Sequence, residues 1–155
     1  MGAKEFEYYI FIDFSENFIG YSIIEYNKFL QIIPKITRFR HYKDADNKKI
    51  YIKNIRNTIQ REDLLSYFFK IKIKSMSNNI ELYSDVLDFL KKHENCIIFI
   101  SVDNRQYSAF QRLVNIVDGE KVIVKQESEL KVGSPEYQVS LVLDNLLNIE
   151  RLKEN

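Results

Sequence analysis

Residues 5–14 begin as an alternation, with Phe6, Tyr8 and Ile10 set against Glu7, Tyr9 and Phe11, and become apolar on both faces toward Ile12. A strand buried on two sides at the centre of a sheet reads this way. Ser15-Glu16-Asn17 predicts a turn and residues 18–26 a second strand, with Asn27-Lys28 closing a hairpin. Residues 29–40 are expected to form a third strand, with Pro34 marking an edge or a bulge. Lys43 to Lys49 reads as a polar loop, and residues 50–56 as a further short strand. Residues 58–74 carry two periods. Leu64, Leu65, Phe68 and Phe69 have helical spacing, whereas Lys70, Lys72 and Lys74 alternate with Ile71 and Ile73, so a helix passing into a short extended piece is expected.

The second half is more regular. Ile80, Tyr83, Val86, Leu87 and Leu90 mark one face of a helix over 80–92, and the apolar run Cys96–Val102 predicts a further sheet strand. Asp103, with Gln106 three positions on, starts a helix that runs through Val117, with Tyr107, Phe110, Val114 and Val117 on its buried face. A strand over 121–127 follows. Ser134-Pro135-Glu136 opens a last helix to about Leu152: a Ser cap, Pro at the first helical position and an acid in the first turn. Three hairpin-linked strands followed by alternating helices and strands give an α/β fold, a mixed five-stranded sheet with helices packed on it.

Composition narrows this to one globular domain over residues 1–155 with an irregular basic insert at about 43–76. The single Cys96 excludes an internal disulfide and a multi-cysteine zinc cluster, and its apolar surroundings predict a buried, inert thiol. No apolar stretch is long enough to cross a membrane and the N-terminus lacks a signal-peptide pattern, so a cytoplasmic protein is expected. The net charge of +1 conceals an asymmetry: twelve Lys and Arg against four Asp and Glu between residues 35 and 74 leave +8 there and −7 elsewhere.

That asymmetry sharpens the candidate chemistry. Asp13 ends the first apolar run and Asp103 the second, and ligands gather at the carboxyl ends of strands in open α/β sheets. Two such carboxylates, with Asp144 from the last helix, could hold Mg²⁺ or Mn²⁺, because hard ions take oxygen ligands. A metal-dependent nuclease pairs acids of this kind, which hold metal, with a basic region that holds phosphates. Arg38, Arg40, Lys48, Lys49, Lys53 and Arg56 are the candidate nucleic-acid contacts, with Lys70, Lys72 and Lys74, while Tyr42 and Tyr51 could stack on bases. Asp103 also reads as a helix cap. His41 and His93 lack any paired ligand spacing and read as surface residues. No nucleophile elbow and no Gly-rich phosphate loop is present, which argues against serine hydrolysis and against nucleotide-binding chemistry of the P-loop and dinucleotide types.

The order of elements resembles the ribonuclease H-like fold over nearly the whole chain. Ile10-Phe11-Ile12-Asp13 matches the acid on that family's central first strand, and Asp103 the acid at or near the end of its fourth strand. Asp144 or Glu136 matches the acid of the last helix, and Glu81 and Asp85 are nearest to a Glu that some members carry on their first helix. The stretch Phe11–Ser22 looks like the opening of RuvC-type resolvases, where an acid and a short turn precede Gly-Tyr, here Gly20-Tyr21. It is also similar to RNase H-like domains that begin Asp-Glu-Ser-Gly, with Phe14 in place of the Glu and Glu16 in place of the Gly. In that second group the last helix carries Gln, two residues, then Asp; here the acid is missing after Gln138 and Asp144 stands further along. The resemblance implies a metal-dependent nuclease with Asp13, Asp103 and Asp144 as catalytic ligands and Glu136 as a further metal ligand. The alternatives are a non-catalytic nucleic-acid-binding or assembly module on the same fold, and a protein-interaction domain, dimeric through its aromatic-rich strands.

Overall fold

The computed structural model describes residues 5–101, 104–118 and 122–153, with the side chains of 104–106 and 117–118 excepted. Its sheet contains β1 (Tyr8–Ser15), β2 (Phe18–Glu25), β3 (Lys70–Ser75), β4 (Cys96–Ile100) and β5 (Ile123–Gln126), in the order β3-β2-β1-β4-β5. β1, β2 and β3 pair antiparallel, and β1, β4 and β5 pair parallel. The helices are α1 (Tyr26–Ile32), α2 (Lys48–Arg61), α3 (Asn79–Lys92), α4 (Asn104–Asp118) and α5 (Pro135–Lys153).

β1 is central and buried on both faces, as its sequence predicts, and its parity sorts the core. Tyr9 and Phe11 join Ile97, Phe99 and the apolar side of α5 in one cluster, which α1 and α2 extend through Phe29, Ile32 and Ile55. Ile10 and Ile12 face the other way, onto Leu82, Val86 and Leu90 of α3 and Phe110 and Val114 of α4. Cys96 is buried in this second cluster. Asp13 therefore shares the α5 side with Tyr9 and Phe11.

The expected third strand over 29–40 is not one. Phe29, Ile32, Ile33 and Ile36 fall at i, i+3, i+4 and i+7, which is helical spacing. The chain forms α1 and then a short 3-10 turn, Ile33–Lys35, with Pro34 in its opening positions, where proline lacks no needed donor. Asn27-Lys28 lies within α1 rather than in a hairpin. The short strand expected over 50–56 is also overturned. Tyr51, Ile52, Ile55 and Ile59 form one side of α2, and Asn47 caps it by accepting a hydrogen bond from the Ile50 N–H at 3.2 Å. The third antiparallel strand is instead β3, where Lys70, Lys72 and Lys74 alternate with Ile71 and Ile73 along the sheet edge. Lysines along an edge strand discourage pairing with another chain. A 3-10 turn, Leu64–Tyr67, occupies part of the stretch where a helix was expected. Helices α3 and α5 and strands β4 and β5 lie where the sequence puts them. The Ser134 hydroxyl accepts the Tyr137 N–H at 3.2 Å, as its cap position demands.

Candidate active site

The register of the parallel strands builds the site. Ile12 pairs with Ile100 and Ile100 with Gln126. One residue further, Asp13, Ser101 and Glu127 stand side by side at the carboxyl ends of β1, β4 and β5, all directed to the α5 side. The Ser101 N–H donates to the Ile12 carbonyl at 2.8 Å, which carries the alignment past the end of β4. On the other flank Gly20 pairs with Asp13. A Cβ at Gly20 would lie 3.3 Å from Leu143 Cδ1 and 3.1 Å from the Lys72 carbonyl oxygen, so the missing side chain lets α5 approach the sheet beside Asp13.

α5 contributes Ser140, Asp144, Asn148 and Arg151, a stripe at helical spacing. Ser140 and Asn148 are buried, so this side of the helix is the wall of the site rather than a solvated face. The Ser140 hydroxyl lies 3.3 Å from Glu127 Oε1 and 2.6 Å from the Tyr137 carbonyl. Asn148 accepts from the Ser15 hydroxyl at 3.2 Å and from Arg151 at 2.9 Å. The segment 36–42 closes the third side and is stitched down. Gln138 donates to the Ile36 carbonyl at 2.9 Å, and Asn145 donates to that of Arg40 at 2.9 Å. The Tyr51 hydroxyl accepts from the Arg40 N–H and donates to its carbonyl, both at 2.8 Å. This carries His41 into the site, with Nδ1 3.4 Å from Asp144 and Nε2 3.8 Å from Glu127. Asp144 also accepts the Tyr42 N–H at 2.9 Å.

The site is short of positive charge. Asp13 is 8% exposed, and burial, then the charges of Glu127 and Asp144, hold its carboxyl well above the usual range. The Phe14 N–H, at 2.8 Å, and the Ser101 hydroxyl act in the opposite direction. Burial likewise lifts Glu127, against hydrogen bonds from Ser101 and Ser140 and the nearby His41. His41 is raised by its hydrogen bond to Asp144 and by the charges of Asp144 and Glu127, with burial opposing. Two carboxyl groups that resist ionisation, beside a third and one imidazole, form a centre poised for proton transfer or for a cation.

Of the residues expected from sequence, Asp13 and Asp144 are brought together. Asp103 lies outside the described residues. Glu136 is not part of the group: it stands eight residues before Asp144, about 12 Å along the helix axis, beside Phe6, Tyr9 and Tyr26, where burial of Tyr9, then the Glu136 charge, pushes the Tyr9 phenol up to about 12. Glu81 and Asp85 are on the opposite face of the sheet, paired to Lys72 at 2.9 and 2.7 Å. Glu127 and His41 were not singled out from sequence. His41, read as a surface residue, is a wall of the site. Glu127 was legible: it ends the expected fifth strand, as Asp13 ends the first apolar run.

Among the described residues, no three His, Cys, Asp or Glu side chains are placed to hold a metal ion as they stand. The donors do fit a hard divalent ion in kind. Asp13, Glu127 and Asp144 offer only carboxylate oxygens, and the burial and like-charge repulsion that raise Asp13 are what a bound cation offsets.

No family model matches the chain. No curated protein matches it in sequence. Solved structures do match in fold. Ribonuclease H2 from Pyrococcus horikoshii OT3 superposes with a TM-score of 0.56 at 11% identity, over 96% of this chain and 76% of that one. RNase HII in a PCNA complex from Archaeoglobus fulgidus superposes with a TM-score of 0.51 at 8% identity, over 94% of this chain and 73% of that one. At such identities the likeness is one of fold: the chain has the ribonuclease H-like fold expected from its element order.

Proposed function

We propose that the chain is a metal-dependent nuclease or a nuclease-derived domain acting on nucleic acid. The observation that carries this reading is the row of Asp13, Ser101 and Glu127 at the carboxyl ends of three adjacent strands, facing Asp144 on α5. Asp13 and Glu127 would hold Mg²⁺ or Mn²⁺, with Asp144 and Asp103 as further carboxylates. Such an ion supplies an activated water and stabilises a leaving oxygen. Ser101 orients Asp13 and Glu127 through its hydroxyl. His41, fixed by Asp144, sits where it can hold or pass a proton at the edge of the acid group. Arg38 and Arg40 precede His41 directly and would meet phosphates. Lys48, Lys49, Lys53 and Arg56 lie off that segment and would add at most weak, non-contacting attraction.

Replacing Asp13 by Asn tests the reading. Cleavage of a labelled RNA–DNA hybrid and of labelled single strands, with Mg²⁺ or Mn²⁺ supplied, should fall at least about a hundredfold. Cleavage that persists in Asp13→Asn, with the same metal dependence, would reject the assignment.

A second reading, a non-catalytic nucleic-acid-binding module, draws on one specific observation. Both Asp144 oxygens are engaged inside the protein, by the Tyr42 N–H and by His41. It predicts salt-sensitive binding with no hydrolysis by the wild-type chain.

A further inference from the structure

Away from the acid group, a groove of about 1200 Å³ runs between the 34–40 segment and the outer side of α2. Four cationic side chains line it, Lys35, Arg38, Arg40 and Arg61, against one carboxylate, Glu62. Glu62 pairs with Lys35 at 3.0 Å and with Arg61 at 3.7 Å. Arg38 and Arg40 are exposed, and among the described residues neither has a carboxylate within ion-pair distance. The opposite wall presents Asn54, Asn57 and Thr58. These are donors and acceptors of the kind that meet phosphate and sugar oxygens.

We propose that this groove is a binding track for a nucleic-acid backbone, read through its phosphates and without regard to base sequence. The inference rests on the nucleic-acid reading above and deepens it by saying where the strand lies. Three features support it. The arginines are presented by backbone that is already held: Phe39 is buried, Gln138 binds the Ile36 and Phe39 carbonyls, and Tyr51 and Asn145 hold Arg40. Little order has to be gained on binding. The track also leads to the site, because the residue after Arg40 is His41, in contact with Asp144. Finally, of the two aromatic residues that line the groove among the described residues, Phe39 is buried and Tyr51 is half-buried and pinned by its hydroxyl to the Arg40 N–H and carbonyl. Among the described residues, this wall therefore presents more cationic and amide groups than aromatic faces, and phosphate contacts carry most of the interaction.

The structure also separates the groove from other basic residues. On α2, Asn54, Asn57, Thr58 and Arg61 share one stripe, whereas Lys49, Lys53 and Arg56 share another. Arg56 lies beside Ile52, Ile149 and Lys153 instead. Lys48 is turned onto the Lys43 and Ala45 carbonyls at 3.1 and 3.2 Å.

This split supplies the control. Binding of fluorescein-labelled single strands and of an RNA–DNA hybrid is measured by anisotropy with the full chain in EDTA, so that no cleavage occurs. Arg38→Glu/Arg61→Glu should weaken binding at least about tenfold and reduce the salt slope by about two. Lys49→Glu/Lys53→Glu carries the same change in charge and should weaken it less than about threefold. Arg38→Gln/Arg61→Gln, a gentler change at the same places, should follow the first pair in direction. Equal losses in the two charge-reversal variants would reduce the effect to net charge and overturn the proposal. So would a groove variant that binds like wild type, or a wild-type chain that binds neither probe at low salt. A chain that binds through the groove but never cleaves would leave this proposal standing and reject the nuclease reading alone.

Discussion

Asp13 is the residue around which the acid group is built. A carboxyl that is buried beside two other acids is a cost to the fold, and burial with the Glu127 and Asp144 charges raises it well above its ordinary value. In the folded chain it binds its proton more tightly than in the unfolded chain, so stability falls as pH rises from the unfolded value, about 3.9, through the folded one. Asp13→Asn removes that cost while its carbonyl can still accept the Phe14 N–H. We expect the variant to melt higher than wild type in metal-free buffer at pH 8, by about 2–4 °C for about 1 kcal/mol in a chain of this size, while losing cleavage. A lower melting temperature would mean that the ionised acid is already compensated. His41 has the same sign for a different reason. Its folded pKa is raised by Asp144, so the stability it adds is fully present below about 6.5 and is lost as pH rises through the folded value. His41→Gln should therefore cost about 1 kcal/mol near pH 6 and close to nothing near pH 9, read from denaturant unfolding at the two pH values. An equal cost at both would assign His41 a packing role only.

Among the elements, β2 and α5 set the distance across the site, and Gly20 sets how closely they approach. Gly20→Ala places a Cβ 3.0 Å from Ile73 Cγ1 and 3.1 Å from the Lys72 carbonyl oxygen. The backbone contact cannot yield as a side-chain tip can, so a loss of about 1–3 kcal/mol is expected in chemical unfolding. A variant as stable as wild type would show that β3 shifts freely. The same elements show which parts of the fold were legible. β1 and β4 announce themselves as short apolar runs that end at polar residues, and α3 and α5 as helical stretches, α5 with Ser134 as its cap. Residues 26–61 misled because short isoleucine-rich stretches satisfy both periods. Ile50 and Ile52 alternate like a strand, yet Ile52, Ile55 and Ile59 decide the matter by packing as one side of α2. Pro34 suggested a strand edge and serves a 3-10 turn instead. The third strand was legible in Lys70–Lys74, but an expected strand upstream had already taken its place in the order. Of the site, Asp13 and Asp144 could be read from strand end and helix position. His41 could not, because no spacing links it to its partners; it reaches them only through the hydrogen bonds that Gln138, Asn145 and Tyr51 make to the segment before it.

Across the whole molecule, the uneven charge of the sequence becomes a division of space. Lys35, Arg38, Arg40 and Arg61 gather along one groove, and Asp13, Glu127 and Asp144 gather at the end of the sheet that the groove approaches. The arrangement suits a polyanion held beside a centre in which carboxylates outnumber cationic groups among the described residues. A divalent ion bound only by the folded chain raises its melting temperature by mass action. Whether Asp13 and its neighbours hold a divalent ion is read from a Mn²⁺ and Mg²⁺ titration of the melting temperature at pH 8, with controls in EDTA, for wild type and Asp13→Asn. Saturating metal should raise the wild-type melting temperature by several degrees, about 2.7 kcal/mol at a hundred times the dissociation constant, and should raise that of the variant much less or not at all. A melting temperature that ignores both ions in wild type, or that rises equally in the two chains, would contradict a metal site at Asp13.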